Sequence, residues 1–211
     1  MLNFKTLFLV SGIIAALTGC ASKEEVTQEP VKTPADLLRD QNHANTLALL
    51  KISPQWYLSP PISSQGDIYE VATAINSDLQ FSLNRAVLMA EQAIVKKMAT
   101  EITSLETEEI SNSGGSNTVM SSQYIEAKIN QAGLFGHVVS KRIILPDPKT
   151  GEFRSYVLIH LPAKAKADVL TAAIAKDNNL KQIKELQTYI SNLEAKANTS
   201  KQAATTTISL M

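Results

Sequence analysis

The spacing of apolar residues predicts an α+β fold: a small three-stranded antiparallel sheet packed on one long helix, with a C-terminal helical extension. Three observations carry this prediction. Leu79, Leu83, Ala86, Val87, Ala90, Ala93, Ile94, Met98, Ile102 and Leu105 step by three and four, which gives one continuous apolar helix face. Two runs rich in Val, Ile, Leu and Tyr, 136–145 and 153–161, flank Pro146-Asp147-Pro148-Lys149-Thr150-Gly151, a linker suited to a hairpin. Ile183, Leu186, Ile190, Leu193 and Ala197 then repeat at the spacing of a coiled-coil seam. A long apolar helix stripe beside a few strands is buried most simply by laying the helix across one sheet face.

The remaining elements follow in chain order. Met1–Lys5 is a short start whose one charged side chain is Lys5, and an apolar or small run extends from Thr6 to Ala16. That run is shorter than the roughly 20 residues of a membrane-spanning helix and has the anatomy of a secretory signal peptide. It ends in Leu17-Thr18-Gly19-Cys20. This tetrad resembles the lipobox of bacterial lipoproteins, which implies cleavage between Gly19 and Cys20 and covalent attachment of diacylglycerol and acyl lipid to Cys20. A thiolate is a strong enough nucleophile to form the thioether, whereas a serine hydroxyl is not at neutral pH. Cys20 is the sole cysteine of the 211 residues, so no intramolecular disulfide can form. Ala21 and Ser22 follow Cys20, with no Asp of the kind that resembles an inner-membrane retention signal in enteric bacteria, so the resemblance to lipoproteins implies the periplasmic face of the outer membrane.

Residues 20–53 read as a lipidated tether and linker, polar through Thr33, with a short helix within 34–50 carried by Leu37, Leu38, Leu47, Leu49 and Leu50. Pro54-Gln55-Trp56-Tyr57-Leu58-Ser59-Pro60-Pro61 reads as extended, because prolines fix their own φ and restrict the residue before them. Gly66-Asp67 signals a turn, and Ile68–Ile75 a strand with Tyr69, Val71, Thr73 and Ile75 on one face. Ser77 or Asp78 caps the long helix. Ser111–Thr118 reads as a loop, Tyr124–Ala132 as a shorter helix closed by Gly133, and Pro162 as the start of a helical region. The predicted divisions are thus 1–19 signal peptide, 20–53 tether, 54–163 α+β domain, 164–198 helical region with weak heptads, and 199–211 disordered tail.

Several of these pieces together resemble one family. Trp56-Tyr57-Leu58 before Pro60-Pro61, then Ile68-Tyr69-Glu70-Val71-Ala72-Thr73-Ala74, then Asp78-Leu79-Gln80 and an alanine-spaced helix are similar to the Lpp-twenty family of small lipoproteins. Ser155–Pro162 is similar to the strand and proline that end that domain. The resemblance covers residues 54–162. It implies a non-enzymatic outer-membrane lipoprotein, often a homo-oligomer and in some members part of a flagellar structure.

Composition restricts the partners. Without residues 1–19, which contain one lysine, 19 basic residues face 20 acidic ones, a net charge of −1. A near-neutral chain with no basic block is a poor match for nucleic acid. His43, His137 and His160 lack the short His/Cys/Glu spacing of a metal site. Glu101, Glu106, Glu108 and Glu109 lack the turn glycine and alternating Asp/Asn of a calcium loop, and read as a solvated helix end. Ser113-Gly114-Gly115-Ser116 lacks the Lys and Ser/Thr of a phosphate loop, and no nucleophile elbow or Ser/His/Asp set can be assembled. No catalytic residue, metal site or free cofactor is therefore expected. Trp56, Tyr57 and Leu58 are the candidate interaction residues, because tryptophan and tyrosine are enriched where interfaces concentrate their energy. They serve either as a lid on the domain itself or as an anchor for a partner. Two functions follow: a lipid-anchored structural protein that assembles with its own copies, flagellar or otherwise, or a tethered adaptor that recruits an envelope protein through the sheet face without helices.

Overall fold

The computed structural model describes residues 32–63, 66–113 and 119–208. The signal peptide, Gly19 and Cys20 lie outside them. The chain divides into two units, 1–39 and 40–211.

Helix α1 (Pro34–Ile52) starts in the first unit with a reciprocal cap: Thr33 N–H donates to Asp36 Oδ2 at 3.1 Å, and Asp36 N–H donates to Thr33 Oγ1 at 3.2 Å. With proline at the first helical position, this start gives 19 helical residues, so the helix expected within 34–50 forms and runs on to Ile52.

In the second unit the sheet and its helix form as the apolar spacing predicts. Strands β1 (Ile68–Asn76), β2 (Val138–Pro146) and β3 (Phe153–Leu161) lie in the order β1-β3-β2, antiparallel throughout. β1 pairs with β3 from Ile68↔Leu161 to Asn76↔Phe153, while β2 pairs with β3 from Val138↔His160 to Pro146↔Phe153, with a bulge between Val139 and Lys141. Ile68, Ala72, Ala74, Val157, Ile159 and Leu161 share one face and are buried. Helix α3 (Leu79–Ser113) covers them with Ala86, Ala90, Ile94, Val95, Met98, Ala99 and Ile102. Alanines on both sides let helix and sheet approach closely. Leu79, counted in the predicted stripe, is instead 42 % exposed. It is the first helical residue and precedes the turn where the helix meets the sheet.

Polar contacts fix the N-terminal end of α3 on the sheet. Asp78 Oδ1 accepts from Phe81 N–H at 2.7 Å, confirming Asp78 as the cap. Buried Ser82 Oγ lies 3.0 Å from the Ala74 carbonyl, 2.9 Å from the Phe153 carbonyl and 2.9 Å from Ser155 Oγ, so one hydroxyl ties α3 to the ends of both paired strands. The helix outlasts its predicted end and continues through Ser113, where a loop was expected from Ser111. Glu101 and Glu106 depart from the solvated end predicted for them. Glu106 is 9 % exposed and accepts from Met120 N–H at 2.9 Å, while Glu101 meets a buried lysine described below.

Helix α4 (Ser122–Ala132) is capped by Ser121 and ends at Gly133, whose φ of 90° an L side chain rarely adopts. The β2–β3 turn is held by Asp147. Its Oδ1 accepts from the N–H groups of Lys149 and Thr150, and its Oδ2 meets the Arg154 guanidinium at 2.6 Å. Burial pushes the Asp147 carboxyl up, but the Arg154 and backbone bonds reverse this and leave it below its ordinary value.

Three helices complete the core: α5 (Ala163–Lys176), α6 (Asn178–Gln182) and α7 (Lys184–Ile208). Ile183, Leu186, Ile190 and Leu193 are all buried in the same cluster as the sheet and α3 residues. The heptad face therefore packs on its own domain, the arrangement its short run of heptads favours over an intermolecular seam, and residues 164–198 share one core with 54–163. The tail expected to be disordered from residue 199 is helical through Ile208. Its small residues continue a helix already anchored by the preceding turns.

Candidate functional site

The sequence places its interaction candidates between α1 and β1, and the local backbone there differs from the extended strip predicted. Gln55–Leu58 forms a single helical turn, α2, with Pro54 at its N-cap (φ −61°, ψ 140°). The prolines restrict Ser53, Ser59 and Pro60, but leave the four residues between them free to turn. Tyr57 N–H donates to the Pro54 carbonyl at 2.9 Å, and Ser59 N–H to the Gln55 carbonyl at 2.9 Å.

This turn brings Tyr57 edge-on to Tyr156, with ring centroids 4.9 Å apart and planes at 73°. Tyr156 lies on the central strand, on the face away from α3, and is 1 % exposed. Its hydroxyl sits 3.1 Å from Ser53 Oγ, which also lies 2.7 Å from the Leu49 carbonyl. Burial raises the Tyr57 phenol above its ordinary value, as expected for a ring serving as packing. The sheet face expected to be free of helix thus carries α2 over its centre. Trp56 is half-buried and Leu58 is 45 % exposed, so of the three candidates Tyr57 is committed to the domain and Leu58 still faces solvent.

Beyond this lid, three polar constellations join distant elements. Lys166, 2 % exposed, places its ammonium 2.5 Å from Glu101 Oε2 and 2.5 Å from Tyr189 Oη, and Tyr189 donates to the same Glu101 oxygen at 3.0 Å. Burial lowers the Lys166 pKa, with Glu101 offsetting part of the effect, and burial followed by the Glu101 charge raises that of Tyr189. These groups bolt α3, α5 and α7 together, and the amine is closed to solvent-borne molecules. Sequence reading missed this set because Lys166 sits in Ala-Lys-Ala-Lys-Ala, which resembles a solvated helix start, and its acidic partner is 65 positions away.

Asp177 forms the second set. Its Oδ1 caps α6 by accepting from Asn179 and Leu180 N–H, both at 3.0 Å, and its Oδ2 accepts from Tyr124 Oη at 2.7 Å and Lys128 Nζ at 3.0 Å. Burial raises the carboxyl, but the Tyr124, Leu180 and Lys128 bonds together hold it down at about 2.

The third set contains His160, whose Nε2 is 2.9 Å from Asp67 Oδ2 and whose ring stacks on Tyr69 with centroids 4.4 Å apart. Asp67 Oδ1 accepts from Ala163 N–H at 2.9 Å, supplying α5 with the cap that Pro162 cannot. His137 is bound to Glu91 at 2.9 Å, and His43 lies on α1. Among the described residues, no three His, Cys, Asp or Glu side chains are grouped to hold a metal, and no helix is long and apolar enough to cross a membrane.

Concavities lie along α3. A cleft of about 620 Å³ between α3 and α4 is lined by Leu88, Glu91, Lys96, Glu126, Asn130 and Leu134 among others. A shallower dent of about 390 Å³ is formed by Phe81, Asn84, Arg85 and Leu88 on the outer side of α3. The sequence reading passed over these last residues because it followed only the buried stripe. No family model matches the chain, and no curated protein matches it.

Proposed function

We propose that this chain is a lipid-anchored, non-enzymatic structural protein of the bacterial outer membrane, held on its periplasmic face through Cys20 and assembling with its own copies. The observation that carries the proposal is Leu17-Thr18-Gly19-Cys20 behind a short apolar run, with Cys20 the sole thiol. One acyl chain binds a bilayer only marginally, while two or more hold a protein stably, at about 0.8 kcal/mol per buried methylene. Confinement to a surface then raises the effective concentration of neighbouring copies, so that weak contacts suffice. The resemblance of residues 54–162 to the Lpp-twenty family supports the same reading and makes a flagellum-associated structure the specific assembly to examine.

The anchor is tested by labelling with radioactive palmitate. The native chain should incorporate label and Cys20→Ser should not; equal incorporation would refute lipidation. Assembly is tested by light scattering of the detergent-solubilised protein, where a strictly monomeric species at every concentration defeats it. Normal swimming and normal motors in a deletion strain would remove the flagellar version alone.

A further inference from the structure

Of the strip from Pro54 to Ile62 the domain uses Tyr57, and the remainder is apolar, stiff and without charge. Between Asp40 and Asp67 lie 26 residues, and Lys51 is the one charged side chain among them with His43 neutral. The chain's 19 % of charged residues would place about five there. Ile62 is 89 % exposed, Leu58, Pro60 and Pro61 also face solvent, and Trp56, the sole tryptophan, is half-buried. The backbone makes little demand on water either. Pro54, Pro60 and Pro61 have no N–H, while Tyr57 and Leu58 donate to the Pro54 carbonyl and Ser59 to that of Gln55, at 2.9, 3.2 and 2.9 Å. Six of the eight residues 54–61 therefore present no unpaired donor. The two successive prolines also fix the approach to Ile62, so presenting it costs little conformational entropy.

We propose that this strip is a second, non-covalent contact with the phospholipid bilayer. Leu58 and Ile62 enter the boundary between headgroups and acyl chains, and the Trp56 ring lies at headgroup level. The proposal rests on the lipid anchor proposed above and names where the folded domain meets the same surface.

Three observations select a bilayer over a protein as the occupant. The chain outside the described residues ends at Cys20, and the strip follows α1, ahead of every strand and of the helices that form the core. Its side chains suit the interface, where tryptophan is enriched, and the one nearby cation, exposed Lys51, has the sign that anionic headgroups attract. Its backbone donors are mostly satisfied or absent, which lipid demands, whereas a protein interface uses such groups at about one hydrogen bond per 100–200 Å². So few apolar side chains bind weakly by themselves, and the contact orients a domain that the acyl chains already hold.

The test uses the native lipidated chain in vesicles of phosphatidylethanolamine and phosphatidylglycerol whose acyl chains are brominated near the headgroup. With one tryptophan in the chain, emission reports this strip alone. Trp56 should be quenched relative to plain vesicles. Leu58→Asp with Ile62→Asp, or the pair of serine substitutions if the first variant folds poorly, should abolish the quenching. Leu88→Asp, on the exposed outer side of α3, should leave it unchanged. The unlipidated chain from residue 20 with Cys20→Ser should sediment with the same vesicles, and Ile62→Asp should lower its partition coefficient at least about tenfold, the effect of withdrawing one large apolar side chain. Trp56 unquenched in the anchored native chain overturns the proposal and leaves the strip to a protein partner. Quenching undiminished in the double variant, or equal partition of the Cys20→Ser chain with and without Ile62→Asp, overturns it as well. Failure of the anchor shows separately as absent palmitate label, and sedimentation of the Cys20→Ser chain that depends on Ile62 would keep this surface standing without it.

Discussion

Asp177→Asn isolates one charge at a junction of three elements. The substitution keeps an oxygen to accept from Asn179 and Leu180 N–H, since asparagine caps helices about as well as aspartate. It removes the charge that binds Tyr124 and Lys128. The carboxyl stands at about 2 against an ordinary 3.8, and at 1.36 kcal/mol for each pH unit this corresponds to about 2 kcal/mol of stability. Lys128 is partly open to water, with 27 % of its side chain exposed, and screening reduces the figure to about 1–2 kcal/mol. Because the folded-state value is depressed, the contribution is complete above pH 3.8 and is lost as pH falls toward 2. Urea unfolding of both forms between pH 2.5 and 7 should therefore show a gap of about 1–2 kcal/mol at neutrality that narrows below pH 4. At the thermal midpoint the neutral-pH gap is about 2–8 °C for a chain of this size. A gap of the same size at pH 7 and pH 2.5 would refute the argument, because the loss would then come from shape alone.

Two further substitutions probe the interior. Lys166→Met should change stability by no more than about 1 kcal/mol, because it removes a costly buried cation and leaves Glu101 bonded to Tyr189. Glu101→Ala should cost about 2–3 kcal/mol by stranding the ammonium, and denaturant titration would show the asymmetry. Gly66→Ala forces a side chain onto a φ of 96° with its Cβ 2.3 Å from Leu193 Cδ2 in the core. It should cost about 2–3 kcal/mol, whereas Gly151→Ala, with φ 73° and nothing within 4 Å, should cost about 1 kcal/mol in the same thermal melts.

The elements legible in the sequence are those whose pattern is local. The α3 stripe, the β2–β3 hairpin, the Tyr124–Ala132 helix closed by Gly133 and the α7 heptads each repeat or punctuate within a short window, so periodicity and turn chemistry identify them. Three features escape local reading. The α2 turn lies between prolines that restrict their neighbours but not the intervening residues. Lys166, Glu101 and Tyr189 become a unit only after three helices pack. Phe81 and Leu88 are hidden by the stronger stripe on the same helix, since a helix with two apolar sides reads as one with a broad core face. The strip around Trp56 stands out by composition, but only the position of Tyr156 on the central strand shows that half-buried Tyr57 packs on the domain.

The pairing of Ile68 with Leu161, 93 positions later, sets the order in which the molecule can take shape. A chain emerging N-terminus first presents β1 long before its partner exists, and the entropy of closing so long a loop delays pairing until the β2–β3 hairpin has formed. Such a topology keeps the newly made polypeptide threadable. On the export proposed above, a sheet that cannot close until its last strand has been made leaves the chain open for passage through a narrow channel.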